Sequence, residues 1–430
     1  MSVSVVILAA GFGTRMKSAK AKVLQELCGK SMILHILKQA YMLGDDVCVV
    51  LSHQKELVES VILKEFPNTR FLEQDLQNYA GTAGALKDYV PKYDKVIVLC
   101  GDMPLIKASS IKALLDTKSK ISVAVFESQN PANYGRVVIC NDKIQKIVEF
   151  KDANEQEKNI KACNSGVYAF EGALLRELLP QIQNQNAAKE YYLTDIVALA
   201  NAKGEEVAPV FVNELEFMGV NDKAQLAEAE NLMQDELKTA LMRQGVRFHN
   251  PQSSFISVDA VFEGECEIFE GVRIEGKSVL KNAVIKSSSV VEGSTIENSD
   301  IGPLAHIRPK CSIVNSHIGN FVECKNAILR GIKAGHLSYL GDCEIDEGTN
   351  IGCGTITCNY DGLKKHRTII GKRVFVGSDT QFIAPVKVAD DVIIAAGSSV
   401  TGDVPKGALF INRAEKKIIK DYFYKKFGAK

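Results

Sequence analysis

The 430-residue sequence contains no tryptophan and has no net charge, since 52 Lys and Arg residues balance 52 Asp and Glu residues. General binders of nucleic acids or of acidic membranes carry an excess of basic residues, so we expect neither kind of partner. Hydrophobic residues make up 46% and charged residues 24%, which excludes a disordered chain. The length predicts two to three domains.

The sequence also has no C-x-x-C pair and no long apolar run. Its eleven cysteines are scattered, which predicts reduced and mostly buried thiols rather than a disulfide framework. The apolar run within residues 1–10 has no basic residues before it, and we expect a first β-strand there rather than a signal peptide. Since no run approaches eighteen apolar residues, we expect a cytoplasmic protein without a membrane span.

The first half of the chain, residues 1–221, alternates strand-like and helix-like patterns. Short aliphatic runs predict strands at residues 3–9, 47–51, 96–100 and 122–126, and apolar spacing predicts helices over Met32–Leu43 and beginning at residues 111–115. This order is typical of an α/β domain with a mostly parallel sheet. Ligands of such sheets bind at the carboxyl ends of the strands, here the loops after Ala10 and Cys100.

An amphipathic helix is predicted between the two halves, at residues 222–244. We predict a first domain at 1–221, a linker helix at 222–248, a second domain at 249–410 and a basic tail at 411–430. The alternative is that the helix packs into the core of the first domain. The lysines of the tail are typical of a solvated segment, or of one that pairs with a phosphorylated ligand.

A period of six residues begins near residue 250. It is clearest in one series of large apolar residues: Ile370, Val376, Phe382, Val388, Ile394 and Val400. This period fits neither an α-helix nor a hairpin, but it fits a solenoid in which each hexad is a short strand and a corner. Three hexads close one triangular coil. A polar insertion at residues 357–368 interrupts the period, and we expect it to form a loop on one face.

Two polar motifs follow predicted strands of the first domain. Gly11 and Gly13 allow backbone N–H groups to approach an anion, and Arg15 and Lys22 add positive charge suited to phosphate. The alternative is a tight turn between strand and helix.

The second motif places Asp102 after the strand at residues 96–100 and before Pro104. A carboxylate there is well placed for Mg²⁺, which prefers one or two protein oxygens together with substrate phosphates. Alternatively, Asp102 caps the helix that follows near Ser109.

These motifs resemble those of sugar-nucleotide pyrophosphorylases, and both halves resemble the bifunctional N-acetylglucosamine-1-phosphate uridyltransferase/glucosamine-1-phosphate acetyltransferase family. The resemblance is carried by LAAGFGTRM, GDMP, YGR, VEFKDA, NSGVY, EYYLTDI and GVN, in that order. It implies a Rossmann-like α/β nucleotidyltransferase domain followed by a left-handed parallel β-helix. It also implies acetylation of glucosamine 1-phosphate by acetyl-CoA, then Mg²⁺-dependent transfer of UMP from UTP, giving UDP-N-acetylglucosamine and pyrophosphate.

The resemblance assigns roles in the first domain to individual residues. Arg15 and Lys22 would be catalytic, and Asp102 and Asn221 would bind Mg²⁺. The uracil would be contacted by Gly81, Thr82 and one glutamine, for which the spacing leaves both Gln74 and Gln77 open. The nucleotide and sugar would further contact Leu8, Ala9, Ala10, Gly11, Lys22, Gly135, Glu149, Asn164 and Asn221.

In the solenoid, His336 and Tyr339 interrupt the aliphatic period with polar rings. A lone histidine is often a structural residue, but this one has polar neighbours that can gather on adjacent coils. The resemblance implies that His336 is the general base. Glucosamine 1-phosphate would bind Arg308, Lys325, Tyr339 and Asn350. Acetyl-CoA would bind Cys353, Asn359, Tyr360, Ser378, Ala396 and Arg413.

The resemblance further implies a homotrimer with acetyl-transfer sites shared between neighbouring chains. Two other interpretations are a single-function nucleotidylyltransferase with a structural or regulatory solenoid, and a non-enzymatic scaffold. The Gly11–Arg15 loop and Asp102 argue against the scaffold. His336, Tyr339 and the insertion argue against the single-function enzyme.

Overall fold

The computed structural model describes residues 2–413 and 415–428. Lys430, the last lysine of the predicted basic tail, therefore lies outside the described residues. The chain divides into two compact units, Met1–Met233 and Gln234–Lys430. The helix Lys223–Arg243 contains the point of division. No helix within the described residues is long and apolar enough to cross a membrane.

The first unit alternates strands and helices, as its sequence predicts. Its elements in chain order are β1 Val3–Leu8, β2 Glu26–Leu27, β3 Lys30–Ser31, α1 Met32–Leu43, β4 Asp46–Leu51, α2 Lys55–Leu63, β5 Arg70–Glu73, β6 Lys95–Cys100, α3 Ala108–Leu115, β7 Ile121–Glu127, β8 Arg136–Cys140, β9 Lys143–Val148, α4 Glu155–Lys158, β10 Ala162–Glu171, α5 Gly172–Leu178, α6 Ile196–Ala202, β11 Val207–Phe211 and α7 Lys223–Arg243. Residues 111–115 end helix α3 rather than begin it.

The main sheet of this unit has the order β11-β7-β10-β6-β1-β4-β5, and β8 and β9 pair beside β10. Strands β1, β4, β5 and β6 are parallel, but β10 is antiparallel to both β6 and β7. The sheet is thus more mixed than the alternating pattern predicts. Aliphatic side chains on its two faces form two hydrophobic cores.

The register of the central strands determines where the site forms. β1 and β6 are parallel neighbours, and Leu8 lies opposite Cys100. The carboxyl ends of both strands therefore meet at one edge of the sheet, as we expect for a ligand-binding edge of an α/β domain. The Gly101 N–H donates to the Leu8 carbonyl over 2.8 Å and joins the two loops that follow.

The second unit is a parallel β-helix with three sheets, counted over the described residues. The first sheet has ten strands: Arg247–Phe248, Glu267–Ile268, Val284–Ile285, Asp300–Ile301, His317–Asn320, Lys333–His336, Asn350–Ile351, Phe375–Val376, Ile393–Ile394 and Leu409–Phe410. The second has nine: Phe255–Ile256, Arg273–Glu275, Val290–Glu292, His306–Ile307, Glu323–Lys325, Tyr339–Gly341, Ile356–Cys358, Gln381–Ile383 and Ser399–Val400. The third has eight: Val261–Glu263, Val279–Lys281, Thr295–Glu297, Ser312–Val314, Ile328–Arg330, Cys343–Ile345, Thr368–Ile370 and Val386–Val388. A final helix, α8, covers Tyr422–Phe427.

The period of six residues explains this architecture. The residues of the predicted series, from Ile370 to Val400, are each 1% exposed or less and fill the interior of the prism. Successive hexads supply the strands of the three sheets in turn, so each large side chain of the period points inward. The polar insertion lies between strands Ile356–Cys358 and Thr368–Ile370 and is closed by a bridge between Tyr360 and Lys365. The predicted fold class, an α/β domain followed by a left-handed parallel β-helix, is confirmed.

Candidate active sites

Three polar side chains that are distant in sequence meet at the edge of the first unit's sheet. The Lys22 ammonium donates to Asp102 Oδ2 at 2.6 Å and to Asn221 Oδ1 at 2.7 Å. The side chains of Lys22 and Asp102 are only 12% and 25% exposed. The structure therefore brings together one predicted catalytic residue and both predicted metal ligands.

Backbone contacts hold these three residues in place. The Val220 N–H donates to the Asp102 carbonyl over 2.8 Å, and the Asn221 N–H donates to Gln225 Oε1 over 2.8 Å. The side chain of Gln54 accepts from the Ala21 N–H at 3.0 Å, next to Lys22. Helix α3 is preceded by Lys107 and has no side-chain cap, so Asp102 does not cap it, and its carboxylate faces Lys22 instead.

A cavity of about 620 Å³ opens beside this triad. Its volume lies within the range of small-molecule sites. The described residues that line it are Leu8, Ala9, Ala10, Gly11, Phe12, Lys22, Val23, Gln74, Leu76, Ala80, Gly81, Thr82, Ala85, Cys100, Gly101, Asp102, Glu149, Glu190 and Tyr192. Ten of the residues predicted from the sequence to contact nucleotide, sugar or metal are among them.

One wall of the cavity is a turn that requires glycine. Gly81 has a φ of +101°, and a Cβ there would lie 2.5 Å from the Tyr191 carbonyl oxygen. The Gln74 amide donates to the carbonyls of Tyr79 and Gly81 at 2.8 and 2.9 Å, which keeps this turn in shape. Gln74 is buried and lines the cavity, whereas Gln77 is exposed. These positions favour Gln74 as the glutamine near the base.

Of the residues predicted to hold the sugar, Glu149 lines the cavity, whereas Gly135 and Asn164 lie behind it and are absent from the described lining. A Cβ at Gly135 would lie 3.5 Å from both carboxylate oxygens of Glu149. The Asn164 N–H donates to the Gly135 carbonyl at 2.8 Å. Burial raises the pKa of Glu149, and the carboxylates of Asp152, Asp195 and Glu190 raise it further; the hydroxyl of Thr194, which donates to Glu149 over 3.4 Å, lowers it.

Two features differ from the expectation or were missed by it. Arg15 is exposed and is absent from the described residues that line the cavity. Cys100 and Tyr192 line the cavity but were not predicted. Burial raises the pKa of each to about 12, so both side chains remain protonated near neutral pH. Cys100 directly precedes the GDMP motif, and Tyr192 lies within the EYYLTDI motif. These positions were the sequence signal that could have identified both residues.

The donor set fits a hard cation such as Mg²⁺. Asp102 and Asn221 present oxygen atoms to one point, where the Lys22 ammonium lies within 2.7 Å of both. No cluster of three His, Cys, Asp or Glu side chains that could hold a metal occurs within residues 2–413 and 415–428. Such a sparse protein set suits Mg²⁺, whose remaining ligands are water and substrate phosphates.

The second predicted site lies at a corner of the β-helix. His336 is exposed rather than turned into the apolar interior, and its Nδ1 lies 2.8 Å from Asn320 Oδ1. Asn320 is the register partner of His336 on the preceding coil. Because the amide oxygen can only accept, Nδ1 carries the proton and Nε2 is the basic nitrogen.

Three cations gather on the next face of the same coils. Lys365, first by hydrogen bonding and by charge, and then Arg308 lower the pKa of Lys325. Arg308 also pairs with Glu323 at 2.9 Å. Lys365 lies in the polar insertion and was not predicted, because its sequence position does not show that the loop folds back to Lys325. The charge of such a cluster is suited to an anion.

Asn359 and Tyr339 border this cluster. The Asn359 amide donates to the carboxylate of Asp342 and to the Tyr339 hydroxyl at 3.4 Å. Tyr339 lies over Gly341, since a Cβ at Gly341 would lie 2.3 Å from its hydroxyl oxygen. Any other residue at 341 would therefore displace the Tyr339 ring.

The residues predicted to bind acetyl-CoA follow His336 along successive coils. The Asp379 N–H donates to the Cys353 carbonyl, the Gly397 N–H to the Ser378 carbonyl, and Arg413 Nε to the Ala396 carbonyl. This series forms a ladder along one corner. The predicted acetyl-CoA residue Tyr360 is not part of this ladder, because its hydroxyl donates within the insertion to the Gly362 carbonyl. Asn350, which was predicted to bind glucosamine 1-phosphate, lies on the first sheet in register with Lys333 and Phe375.

Residues 5–212 match the model of the MobA-like NTP transferase domain. The chain is 68% identical over 427 residues to the bifunctional protein GlmU of Campylobacter jejuni subsp. jejuni serotype O:6, covering 99% of this chain and all of that protein. It is 66% identical to the bifunctional protein GlmU of Campylobacter lari over the same shares. Among solved structures, the inositol-1-phosphate CTP transferase from T. maritima matches with 16% identity and a TM-score of 0.42, over 53% of this chain and 96% of that one. The chain belongs to the family of bifunctional GlmU proteins.

Proposed function

We propose that the two sites act in sequence on one amino sugar. The β-helix acetylates glucosamine 1-phosphate with acetyl-CoA, and the α/β unit then transfers UMP from UTP to N-acetylglucosamine 1-phosphate, giving UDP-N-acetylglucosamine and pyrophosphate. The observation that carries the proposal is the presence, in one chain, of the cavity beside Lys22, Asp102 and Asn221 and of His336 beside a cationic cluster.

In the acetyl transfer, His336 Nε2 takes a proton from the 2-ammonium group of the sugar. The freed amine attacks the thioester carbonyl of acetyl-CoA, the C–N bond forms and the C–S bond breaks. Coenzyme A leaves as its thiol, with the proton that the amine nitrogen gives up. Asn320 keeps the proton on Nδ1, so Nε2 is the nitrogen that can accept the proton. Arg308, Lys325 and Lys365 hold the sugar phosphate, which relieves their mutual repulsion.

In the uridyl transfer, a phosphate oxygen of the acetylated sugar attacks the α-phosphorus of UTP. The new P–O bond forms as the bond to the bridging oxygen breaks, and pyrophosphate leaves. UTP and the sugar phosphate are both polyanions. Catalysis therefore depends mainly on positioning the two substrates and on neutralising their negative charge. Lys22 and the backbone of residues 8–11 hold the phosphates, Arg15 adds a cation from the exposed turn, and Gly135, Glu149 and Asn164 orient the sugar.

Mg²⁺ is part of the proposal. Asp102 and Asn221 would hold it, and it would offset phosphate charge in the cavity. In the structure the Lys22 ammonium donates to both residues. With Mg²⁺ held by these residues, the ammonium would bind the substrate phosphates.

We further propose a homotrimer formed by the β-helix. Phe375, Ile393 and Leu409 lie in register on its first sheet and are 51–60% exposed. A second row of exposed apolar residues, Leu304, Phe321 and Leu337, has positive φ angles. Exposed apolar rows of this kind indicate contact with another chain, and closed symmetry is the usual outcome.

We propose a cytoplasmic location because the cysteines are not paired in disulfides. All eleven cysteines are free in the structure, which suits a reducing cytoplasm.

One experiment tests the function. The full chain is incubated with acetyl-CoA, glucosamine 1-phosphate, UTP and Mg²⁺, and free thiol and pyrophosphate are measured separately. Both products are expected, and pyrophosphate should depend on prior acetylation. Pyrophosphate formed only from supplied N-acetylglucosamine 1-phosphate, without thiol, would identify a single-function nucleotidylyltransferase. Neither product would identify a scaffold.

A further inference from the structure

Arg136 is a buried cation next to Gly135, at the sugar end of the cavity, which is the end formed by Glu149. It begins strand β8 and is only 2% exposed. Its guanidinium donates to four backbone carbonyls: to Ala132 at 3.0 Å, to Lys158 at 3.2 Å, to Pro131 at 3.4 Å and to Tyr134. No carboxylate forms an ion pair with it in the described part of the chain. The backbone carbonyls therefore provide the polar environment of this charge.

Burying a cation is costly unless its hydrogen bonds are satisfied, so a guanidinium at this position needs a reason. Arginine has five donors in a rigid planar fork, whereas lysine has one compact ammonium group. Only the fork can hold carbonyls on both sides of one loop at fixed spacing. Three of the four carbonyls belong to residues 131–134, which lead directly into Gly135.

This loop connects the sugar end of the cavity with the metal end. The Gly135 carbonyl accepts from the Asn164 N–H at 2.8 Å, and Gly135 faces the carboxylate of Glu149. Burial raises the pKa of the Tyr134 hydroxyl, and the neighbouring backbone of Gly219 lowers it, which places this ring beside Gly219. A Cβ at Gly219 would lie 3.8 Å from both carboxylate oxygens of Asp102. A shift of the loop would therefore displace Gly135 from Glu149 and Asn164, the residues proposed to orient the acceptor sugar.

We infer that Arg136 is a positioning residue for the acceptor sugar phosphate. By holding the carbonyls of Pro131, Ala132 and Tyr134, it sets Gly135 against Glu149 and Asn164. This inference rests on the proposed uridyl transfer. The wall that faces the nucleotide base, formed by Gln74, Gly81 and Thr82, belongs to another loop and does not depend on Arg136.

The consequence is a loss of acceptor binding without a loss of UTP binding. Misplacement of a substrate by about 1 Å costs roughly 100-fold in rate. In Arg136→Lys and Arg136→Met, the KM for N-acetylglucosamine 1-phosphate should rise about 10- to 100-fold, while the KM for UTP stays within about twofold. Guanidinium ion at millimolar concentration should partly restore the acceptor KM of Arg136→Ala.

The test uses the full chain and varies each substrate separately while pyrophosphate release is recorded. Acetyl transfer by the same preparation provides an internal measure of active chain. Arg70→Lys is the matched control, because Arg70 lies in the same unit but pairs with the carboxylate of Asp46, and both KM values should be unchanged. If circular dichroism shows that Arg136→Met is unfolded, the two KM values of Arg136→Lys alone test the inference.

The outcomes separate this inference from the proposed function. An unchanged acceptor KM in Arg136→Lys and Arg136→Met, or an equal rise of both KM values, overturns the positioning role while the uridyl transfer stands. Absence of pyrophosphate from the unmodified chain overturns the uridyl transfer, and the inference with it.

Discussion

Lys22 Nζ and Asp102 Oδ2 lie 2.6 Å apart although 80 residues separate them in the sequence. Each is held by its own loop at the carboxyl end of a parallel strand, and the charges offset each other. In the proposed uridyl transfer, the nucleoside triphosphate would bring negative charge to the lysine, and a divalent cation would bring positive charge to the aspartate. The ion pair therefore contains the two groups that this proposal needs, a cation for phosphate and a carboxylate for the metal.

Asp102→Asn should reduce uridyl transfer by roughly 10²- to 10³-fold, the usual cost of removing one group that stabilises charge in a transition state. Acetyl transfer should be unchanged, because the acetyl-transfer residues belong to the β-helix. Pyrophosphate and thiol release from the same preparation check both expectations. Asp45→Asn is the matched control, since Asp45 is an exposed carboxylate of the same unit. A variant with near-normal pyrophosphate release would show that Asp102 does not hold the metal.

His336→Gln should reduce acetyl transfer by roughly 10²- to 10⁴-fold, the range for loss of a general base, and should leave uridyl transfer of supplied N-acetylglucosamine 1-phosphate intact. The control is His317→Gln, because His317 lies one coil earlier on the same sheet and pairs with Asp300 at 2.8 Å. Thiol release against pH measures the effect. Equal losses in the two variants would indicate a general disturbance of the β-helix instead of a catalytic role.

Lys365→Ala should raise the KM for glucosamine 1-phosphate about 10-fold or more, since a charge-assisted hydrogen bond contributes about 1.5–3 kcal/mol. The reason is its place in the cationic cluster with Lys325 and Arg308. The same variant should show a smaller response of that KM to added salt. Lys364→Ala removes the neighbouring lysine of the insertion, and its KM should stay near that of the unmodified chain. The hypothesis fails if both variants give the same KM.

Glu149→Gln should raise the midpoint of thermal unfolding at pH 7. The ordinary pKa of this carboxyl is 4.5, and burial raises it in the folded chain. The folded state then holds the proton more firmly than the unfolded state, so stability falls as pH rises through the window above 4.5 and stays lower beyond it. Glutamine has no charge to bury and escapes this loss. Below pH 4.5 the gain should vanish, because the carboxyl is protonated in both states.

Unfolding followed by circular dichroism at pH 7 and pH 4 measures this difference. Glu155→Gln provides a control of opposite sign, since hydrogen bonding to Lys158 lowers the pKa of that exposed carboxyl. Its midpoint should not rise at pH 7. An unchanged midpoint of thermal unfolding for Glu149→Gln at pH 7 would contradict the expectation that the buried Glu149 carboxylate lowers the stability of the folded chain. The same variant should bind the acceptor sugar more weakly, because an amide replaces the carboxylate.

Much of the site follows from local patterns. Asp102 comes after a run of aliphatic residues, and the edge position of its carboxylate follows from the parallel strands that such runs form. The inward position of Phe382 follows from the period of six residues. The pairing of Asn320 with His336 depends on the register between coils, and no local pattern predicts it.

Other features depend on contacts between distant segments. Strand β10 is antiparallel because the chain returns past β6 and β7, a choice that its apolar pattern does not encode. Lys365 reaches Lys325 only because the insertion folds back onto the previous coils. No sequence pattern predicts that Arg136 is buried, but the loop encloses it.

The sequence by itself determined the two-part architecture, the hexad solenoid and the two loops that are proposed to bind phosphate and metal, because periodicity and turn chemistry act between near neighbours. Only the tertiary structure decided the ion pair of Lys22 with Asp102, the cationic cluster around Lys325 and the carbonyls around Arg136. These depend on packing that brings together residues far apart along the chain, and distance along the chain does not record distance in space.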